Sequence, residues 1–408
     1  MAAWLAVFII GTGMAQTNNI SHTENLSING EVRRGTFHPQ NPQNHEKFQQ
    51  QRLKEFIQKI SPEGKPQAKH LNLYLSRIKA LSVFDERVIC FDVKSHQEGK
   101  KIILEGRVSY PEQKSYLNKL IEAMKLGNLE DRVVVFPSAE LGETRFGICS
   151  VSSLSFYSQP TAPREHLTES ILGDSLFLMD KDAASGYYLV QHSTGYLGWV
   201  DGKGVKNVRL DEFQKWRSGK RALFRKTFRN ESTSLMIPMG ADLPLDDKNL
   251  IFLPSGESIS VPSEYYISYE TRAPQWAMEM LKNAEELLNV PYVWGGVTQK
   301  GIDCSGFVNT LYRSYGINLS RDADEQFLAG EIVGWRGFTD DLLPGDLLYF
   351  AGSSGRIGHT GIYAGDKRFI HAQDAGVHYT SFDPEDSSYD AKVVSKFVLA
   401  KRILRVTQ

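Results

Sequence analysis

Three side chains in the last third of the chain have the types and spacing for nucleophilic attack on an amide. Cys304 stands in Asp303-Cys304-Ser305-Gly306, directly before the apolar series Phe307, Val308, Leu311, Tyr312 and Tyr315. That spacing predicts a helix with one apolar face, stopping at Gly316, with Asp303 as its N-cap. Cys304 then lies in the first turn, where the positive helix end favours a thiolate over a thiol. A thiolate attacks a carbonyl carbon, and N–H groups at the same helix end stabilise the oxyanion. The base is His359, in the alternating segment Gly358-His359-Thr360-Gly361-Ile362-Tyr363. A turn, Ala364-Gly365-Asp366-Lys367, leads into a second strand, Arg368-Phe369-Ile370-His371-Ala372. Such a hairpin puts His359 and His371 on adjacent antiparallel strands, with strict pairing left to the register. His371 would accept from the other ring nitrogen of His359 and so fix its tautomer.

The elements that position these groups are legible around them. Pro274 marks the first residue of a helix whose apolar stripe is Trp276, Ala277, Met280, Leu281, Ala284, Leu287 and Leu288, ending before Pro291. Two histidines and a cysteine also suggest zinc, but there is no fourth ligand at a tight spacing and no C-x-x-C. No Gly-rich phosphate loop precedes a Lys-Ser or Lys-Thr. No metal, nucleotide, flavin or other cofactor is therefore expected.

Five segments together carry a resemblance: Pro291-Tyr292-Val293-Trp294-Gly295-Gly296, Asp303-Cys304-Ser305-Gly306-Phe307, Leu343-Pro344-Gly345-Asp346-Leu347, Gly358-His359-Thr360-Gly361-Ile362-Tyr363 and Phe369-Ile370-His371-Ala372. In this order, over about residues 274–404, they resemble the NlpC-type cell-wall peptidases. The resemblance implies a circularly permuted papain-like α+β fold that cleaves amide bonds of peptidoglycan stem peptides without metal. It also implies Cys304 as nucleophile, His359 as base and His371 as the orienting third member. A narrower resemblance is to the subgroup with bacterial SH3-like domains, the γ-D-glutamyl-L-diamino acid endopeptidases, which take peptides with a free N-terminal L-Ala. Their Arg-Asp-Ser tripeptide is matched here by Arg321-Asp322-Ala323, which makes Asp322 the ammonium-binding candidate, with Ala323 removing one hydroxyl. Tyr292, Asp303, Ser305 and Tyr196 match residues lining the substrate cleft. The acidic partner supplied by the SH3-like domain has no clean match, with Glu165 and Glu169 both nearby.

The rest of the chain reads as smaller units. Residues 46–145 are expected to form an α+β domain, faintly similar to BON-type modules. Its helical spacing comes from Phe48, Leu53, Phe56, Ile57 and Ile60, and again from Leu71, Leu75 and Ile78. Its strand runs are Arg87–Val93, Ile102–Val108 and Arg132–Phe136, with a helix over Glu112–Met124. Residues 146–205 are expected to be an SH3-like barrel with strands at Phe177–Met179, Tyr187–Val190 and Gly198–Val200. The segment Gly195-Tyr196-Leu197-Gly198-Trp199-Val200 resembles the closing strand of that fold, and Leu172-Gly173-Asp174 its turn. Residues 206–272 read as a diverged second copy, with strands around Ser234–Pro238 and Ser258–Pro262. The basic stretch Lys206–Arg229 reads as a linker with a solvated basic face. Residues 273–408 are expected to form the catalytic domain that the resemblance implies.

Composition sets the outer bounds. The 408 residues are 41% hydrophobic and 23% charged, with net charge −1, so no global field favours nucleic acid. Residues 1–15 fit a signal peptide, although no Lys or Arg precedes the apolar run, and 16–45 a polar flexible leader. No Cys follows the apolar run, so no membrane anchor is expected. The protein is expected in the periplasm or outside the cell, with stem peptides or muropeptides as partners. Cys90 and Cys149 read as buried small hydrophobes, with a disulfide between them left open. Two other readings remain at this level: an endopeptidase remodelling intact wall, and a non-catalytic wall-binding protein.

Overall fold

The computed structural model describes residues 42–61, 70–125, 128–268 and 276–403. The expected signal peptide, nearly all of the leader, and Pro274 lie outside the described residues. The chain divides into two compact units. The smaller contains the helix Pro42–Ile60, which buries Leu53 and Ile57 and starts inside the stretch expected as leader, together with residues 120–125. All the site residues belong to the larger unit.

The larger unit begins with the helix Leu71–Ser82 and a three-stranded sheet. Strand Phe91–Glu98 pairs antiparallel with Lys101–Val108, which pairs parallel with Leu129–Val135. The helix Pro111–Met124 lies in the parallel connection, as a parallel pair requires a long crossover. The strand expected over Arg87–Val93 starts only at Phe91. Asp85 accepts from the Arg87 N–H and holds Arg87 in a turn.

A seven-stranded sheet follows, in the order Val205–Val208, Phe146–Cys149, Ser175–Lys181, Tyr187–His192, Leu197–Asp201, Ser153–Tyr157, His166–Ile171. Its core is built on Phe156, Leu176, Leu178, Val190 and Val200. Strand pairing leaves Val205–Val208 and His166–Ile171 as two edges, so the described strands do not close into the barrel expected from the sequence. The His166–Ile171 edge spends side chains elsewhere: Thr168 and Glu169 bond to residues flanking the catalytic helix. The stretch Lys206–Arg229 is not a linker. It contains the end of the other edge strand, Val205–Val208, the helix Leu210–Arg217 and the strand Arg221–Phe224. Arg221 is buried against Asp242 at 2.7 Å, so part of the basic composition is structural. In the expected second copy, Arg221–Phe224 pairs with Asp242–Pro244 and Tyr266–Ser268, beside two short hairpins. One hairpin carries Met236–Ile237 and the other Ser258–Ser260, within the predicted strand regions.

The C-terminal part has a six-stranded antiparallel sheet in the order Glu331–Trp335, Phe397–Arg402, Leu347–Ala351, Ile357–Gly365, Arg368–Gln373, Gly376–Ser381. The helix Cys304–Arg313 packs on its two histidine-bearing strands through Phe307, Val308 and Leu311, all fully buried. The preceding helix, Trp276–Ala284, joins the same core with Met280, Leu281 and Ala284, and a 3-10 turn continues it to Leu287.

Asp174, from the predicted turn, ties the seven-stranded sheet to the catalytic helix. It is buried and accepts from the Ile171 N–H at 2.9 Å, pairs with His192 at 3.1 Å, and takes both terminal nitrogens of Arg313. Burial pushes its carboxyl up, but Arg313 and His192 outweigh this and hold it well below the usual range. The stabilisation is therefore present at neutral pH and lost as pH falls far into the acid range. Asp174→Ala is expected to destabilise the chain by about 3 kcal/mol, since it removes the buried acid that faces a largely buried guanidinium and His192. Thermal or urea unfolding measures this, and an unchanged midpoint would show the pair to be dispensable.

Candidate active site

Asp303 caps the catalytic helix as the sequence predicts, accepting from the Gly306 N–H at 2.7 Å. It does more than cap. Its carboxylate also accepts from the Gly295 N–H at 2.8 Å and the Ser305 hydroxyl at 3.2 Å. Arg321 grips both of its oxygens, at 2.6 and 3.1 Å. Arg321 also donates to the Ser305 hydroxyl at 2.9 Å and to Thr168 at 2.6 Å. All of these side chains are buried. Asp303 and Ser305, predicted to line the cleft, are thus partners of a buried guanidinium. Arg321 is the residue that joins this junction, whereas the resemblance points to its neighbour Asp322. Its signal was an Arg beside a predicted recognition acid, and no spacing rule ties position 321 to 303.

Cys304 begins the helix and is buried. Backbone N–H groups of Ser305 and Thr360 reach its sulfur and favour the thiolate, and the Tyr292 hydroxyl is hydrogen-bonded to it. The contact with Thr360 sets the sulfur against the backbone of the residue that follows His359. The resting thiolate expected from the helix end does not hold. Burial, followed by the negative charge of Asp303, pushes the thiol up to about 12, outweighing the N–H groups and Arg321.

The histidines sit on one hairpin whose turn residues Asp366 and Lys367 both have positive φ, the type I′ geometry that matches strand twist. They are diagonal neighbours across it. Ile362 pairs with Ile370, and it is Gly361 that lies against His371, where any side chain would sit 3.0 Å from the His371 Cβ. His359 Nε2 and His371 Nδ1 are 2.8 Å apart, and His371 Nε2 is 2.9 Å from Thr380 Oγ1. This leaves Nδ1 of His359 as the base nitrogen. Nε2–H of His359 then donates to His371, and Nε2–H of His371 donates to Thr380. Thr380, on the next strand, was not anticipated; only the pairing of Gly376–Ser381 with the second histidine strand exposes it. Burial, then the charge of neighbouring His378, brings His359 down to about 4; burial, then His359, brings His371 down to about 2. Both rings are neutral at physiological pH, which suits a base and its acceptor.

The remaining predicted residues gather at a second corner. Asp322 is 2.6 Å from Arg87 and 3.8 Å from Arg321. Tyr196, buried in the turn before Leu197–Asp201, lies within the electrostatic reach of Asp322, Arg321 and Arg87. Glu169 is not free to take a substrate cation, since it accepts from Ser153 at 2.7 Å and from the Val297 N–H at 3.1 Å. Cys90, Cys149 and Cys304 are all free thiols, so the Cys90–Cys149 disulfide does not form. No metal-holding cluster occurs among the described residues.

Residues 289–397 match the NlpC/P60 family. A probable endopeptidase of Haemophilus influenzae is 36% identical over 126 residues, which are 29% of this chain and 76% of the relative. The chain belongs to the NlpC/P60 family. It is thereby a hydrolase of the peptidase class, with its NlpC/P60 domain toward the C-terminus. A Bacillus cereus protein named gamma-D-glutamyl-L-lysine dipeptidyl-peptidase is 28% identical over 230 residues, 51% of this chain and 67% of the relative. A crystal structure of an NlpC/P60 family protein from Bacillus cereus shares the fold at a TM-score of 0.54 and 22% identity, covering 64% of this chain and all of that one.

Two outcomes follow from the neutral resting pair. Alkylation of Cys304 by iodoacetamide is expected to accelerate continuously from about pH 5 to about pH 9, because thiolate grows with pH. A rate already at its plateau near pH 5 would instead reveal a preformed thiolate–imidazolium pair. With substrate, kcat/KM is expected to fall on the acid side as His359 takes up a proton near pH 4.

Proposed function

We propose that this chain is a cysteine peptidase hydrolysing the γ-D-glutamyl–L-diamino acid amide of peptidoglycan stem peptides with a free N-terminal L-Ala. The diamino acid is Lys or diaminopimelate. The observation that carries the reading is Asp322, partly exposed and joined electrostatically to Tyr196 and Arg321, at the corner adjoining Ser305 and Cys304. A carboxylate linked through Arg321 to the first turn of the catalytic helix suits an α-ammonium a short, fixed distance from the scissile carbonyl. The similarity to a dipeptidyl-peptidase named for this bond supports it.

In the proposed reaction the substrate ammonium sits on Asp322. Cys304 Sγ attacks the γ-glutamyl carbonyl carbon while its proton passes to Nδ1 of His359. The imidazolium that forms keeps its Nε2–H bond to His371, which offsets the desolvation that holds His359 neutral at rest. First-turn N–H groups stabilise the tetrahedral oxyanion. The C–N bond then breaks, and His359 returns the proton to the departing amine. Water, deprotonated by His359, hydrolyses the thioester and releases the L-Ala-γ-D-Glu product and the thiol. Tyr292, hydrogen-bonded to the sulfur, orients it between these steps.

The same reading assigns residues 273–408 to catalysis, 146–205 and 206–272 to SH3-like modules that narrow the cleft, and 46–145 to a small α+β domain. It also takes the protein as exported to where stem peptides occur.

The test is mass spectrometry of products from L-Ala-γ-D-Glu-L-Lys and its N-acetylated form. Cleavage of the free-amine peptide between Glu and Lys, at least tenfold faster than its acetylated form, is expected. Equal cleavage of both would favour action on intact wall instead. Cys304→Ala is expected to lower turnover by about 1000-fold or more. Asp322→Asn is expected to raise KM for the free-amine peptide about tenfold, the loss of one charge-assisted hydrogen bond.

A further inference from the structure

Asp322 stands at the N-cap of the short helix Ala323–Gln326, with extended backbone, yet its side chain makes no capping hydrogen bond. An Asp in that position ordinarily turns onto the free N–H groups of its own helix. Here the carboxylate is drawn away, toward Arg87 at 2.6 Å. Arg87 comes from the turn after the helix Leu71–Ser82, 235 residues earlier. Its guanidinium is held firmly on both sides. Asp85 accepts from Nε at 2.9 and 3.0 Å and from Nη2 at 2.5 Å. Asp324 takes Nη1 at 2.8 Å and Nη2 at 3.0 Å. The backbone is pinned as well: the Leu197 N–H donates to the Arg87 carbonyl at 2.7 Å, and Gln191 donates to the Val88 carbonyl at 3.3 Å. Leu197 immediately follows Tyr196, so one turn of the α+β region is fixed both to the tyrosine and to the acid of the proposed ammonium site.

We infer that Arg87 is a specificity-determining positioning residue, holding Asp322 off its helix cap and in the cleft, where it receives the substrate's α-ammonium. The inference rests on the reading of Asp322 given under the proposed function. The charge balance leaves room for that cation. Arg87 and Arg321 face Asp85, Asp303, Asp322, Asp324 and Glu325, an excess of negative charge. Glu325 Oε2 is buried without a hydrogen-bond partner, 19% of its side chain being exposed. An added ammonium thus relieves a deficit. Without Arg87, the Asp322 carboxylate loses its partner at 2.6 Å and keeps the approach of Arg321 at 3.8 Å, which holds it less closely in place.

The experiment compares wild type, Arg87→Gln and Arg87→Lys on L-Ala-γ-D-Glu-L-Lys and on its N-acetylated form, with thermal melting to establish that each variant is folded. Wild-type preference for the free amine is read first; equal turnover of the two peptides refutes the ammonium reading itself. Given that preference, Arg87→Gln is expected to raise KM for the free-amine peptide about tenfold, far more than it lowers kcat, and so to shrink the preference. Arg87→Lys is expected to fall between, because a single ammonium cannot span three carboxylates. An unchanged preference in both folded variants overturns the inference. So does a KM that falls, which would make Arg87 a competitor for the site. If Arg87→Gln does not fold, Arg87→Lys alone decides between these outcomes.

Discussion

The buried pair of Asp303 and Arg321 is the interaction on which the site depends. Removing two charges from water is costly, and a pair of this kind persists only when nearly every lone pair and proton is used. Here they are: Asp303 accepts from Gly295, Gly306, Ser305 and Arg321, and Arg321 reaches Thr168 as well. Four stretches of chain meet in that one set of bonds: the loop before the catalytic helix, the helix itself, the segment after it, and an edge of the seven-stranded sheet. The position of Cys304 follows from this junction. Losing either charge would leave the other buried and unpaired, so loop, helix and sheet are coupled.

The same junction sets the electrostatics of the nucleophile. A helix N-terminus and two backbone N–H groups favour the sulfur anion, while burial and the adjoining carboxylate oppose it. Arg321 neutralises much of Asp303, but it does not reverse the balance. The thiol therefore stays protonated until a substrate carbonyl is present, and the histidine pair supplies the base at that moment. The pair is matched to this task. Both rings are buried and neutral, and the His371–Thr380 bond gives the acceptor nitrogen of His371 a defined orientation. Such an arrangement carries little standing charge and develops it only in the transition state, where N–H dipoles and the second imidazole are already in place.

How much of this was legible in the sequence divides along a physical line. Local signals were read correctly: the N-cap at Asp303, the apolar face from Phe307, and the turn between two histidine strands. Each is a matter of residues a few positions apart. Long-range partners were not. Arg87 and Asp322 are separated by 235 residues, and no periodicity links them. Thr380 needed a third strand to be recognised, and Thr168 a different sheet. Where local preference and tertiary demand conflict, the tertiary demand prevails. Arg87, within an apolar run that reads as strand, is held in a turn by Asp85, and Asp322, placed to cap a helix, does not cap it.

That conflict is informative about the N-terminal part of the larger unit. A strand from Arg87 onward would have satisfied its own backbone in the sheet and pointed alternate side chains to its two faces. Starting the strand at Phe91 instead lets Arg87 and Val88 run along the Tyr196 turn and accept there through their carbonyl groups. The gain is a guanidinium delivered with little freedom into a group of carboxylates at the start of the helix Ala323–Gln326. Main-chain anchoring matters because a long side chain held only by surface charges forfeits much of its pairing energy to rotamer entropy. With backbone fixed and both faces of the fork engaged, Arg87 has already lost that freedom in the folded chain. Its contacts can then orient a neighbouring acid as well as neutralise it. The α+β region, which carries no chemistry of its own in the sequence, thereby becomes part of the geometry around Asp322.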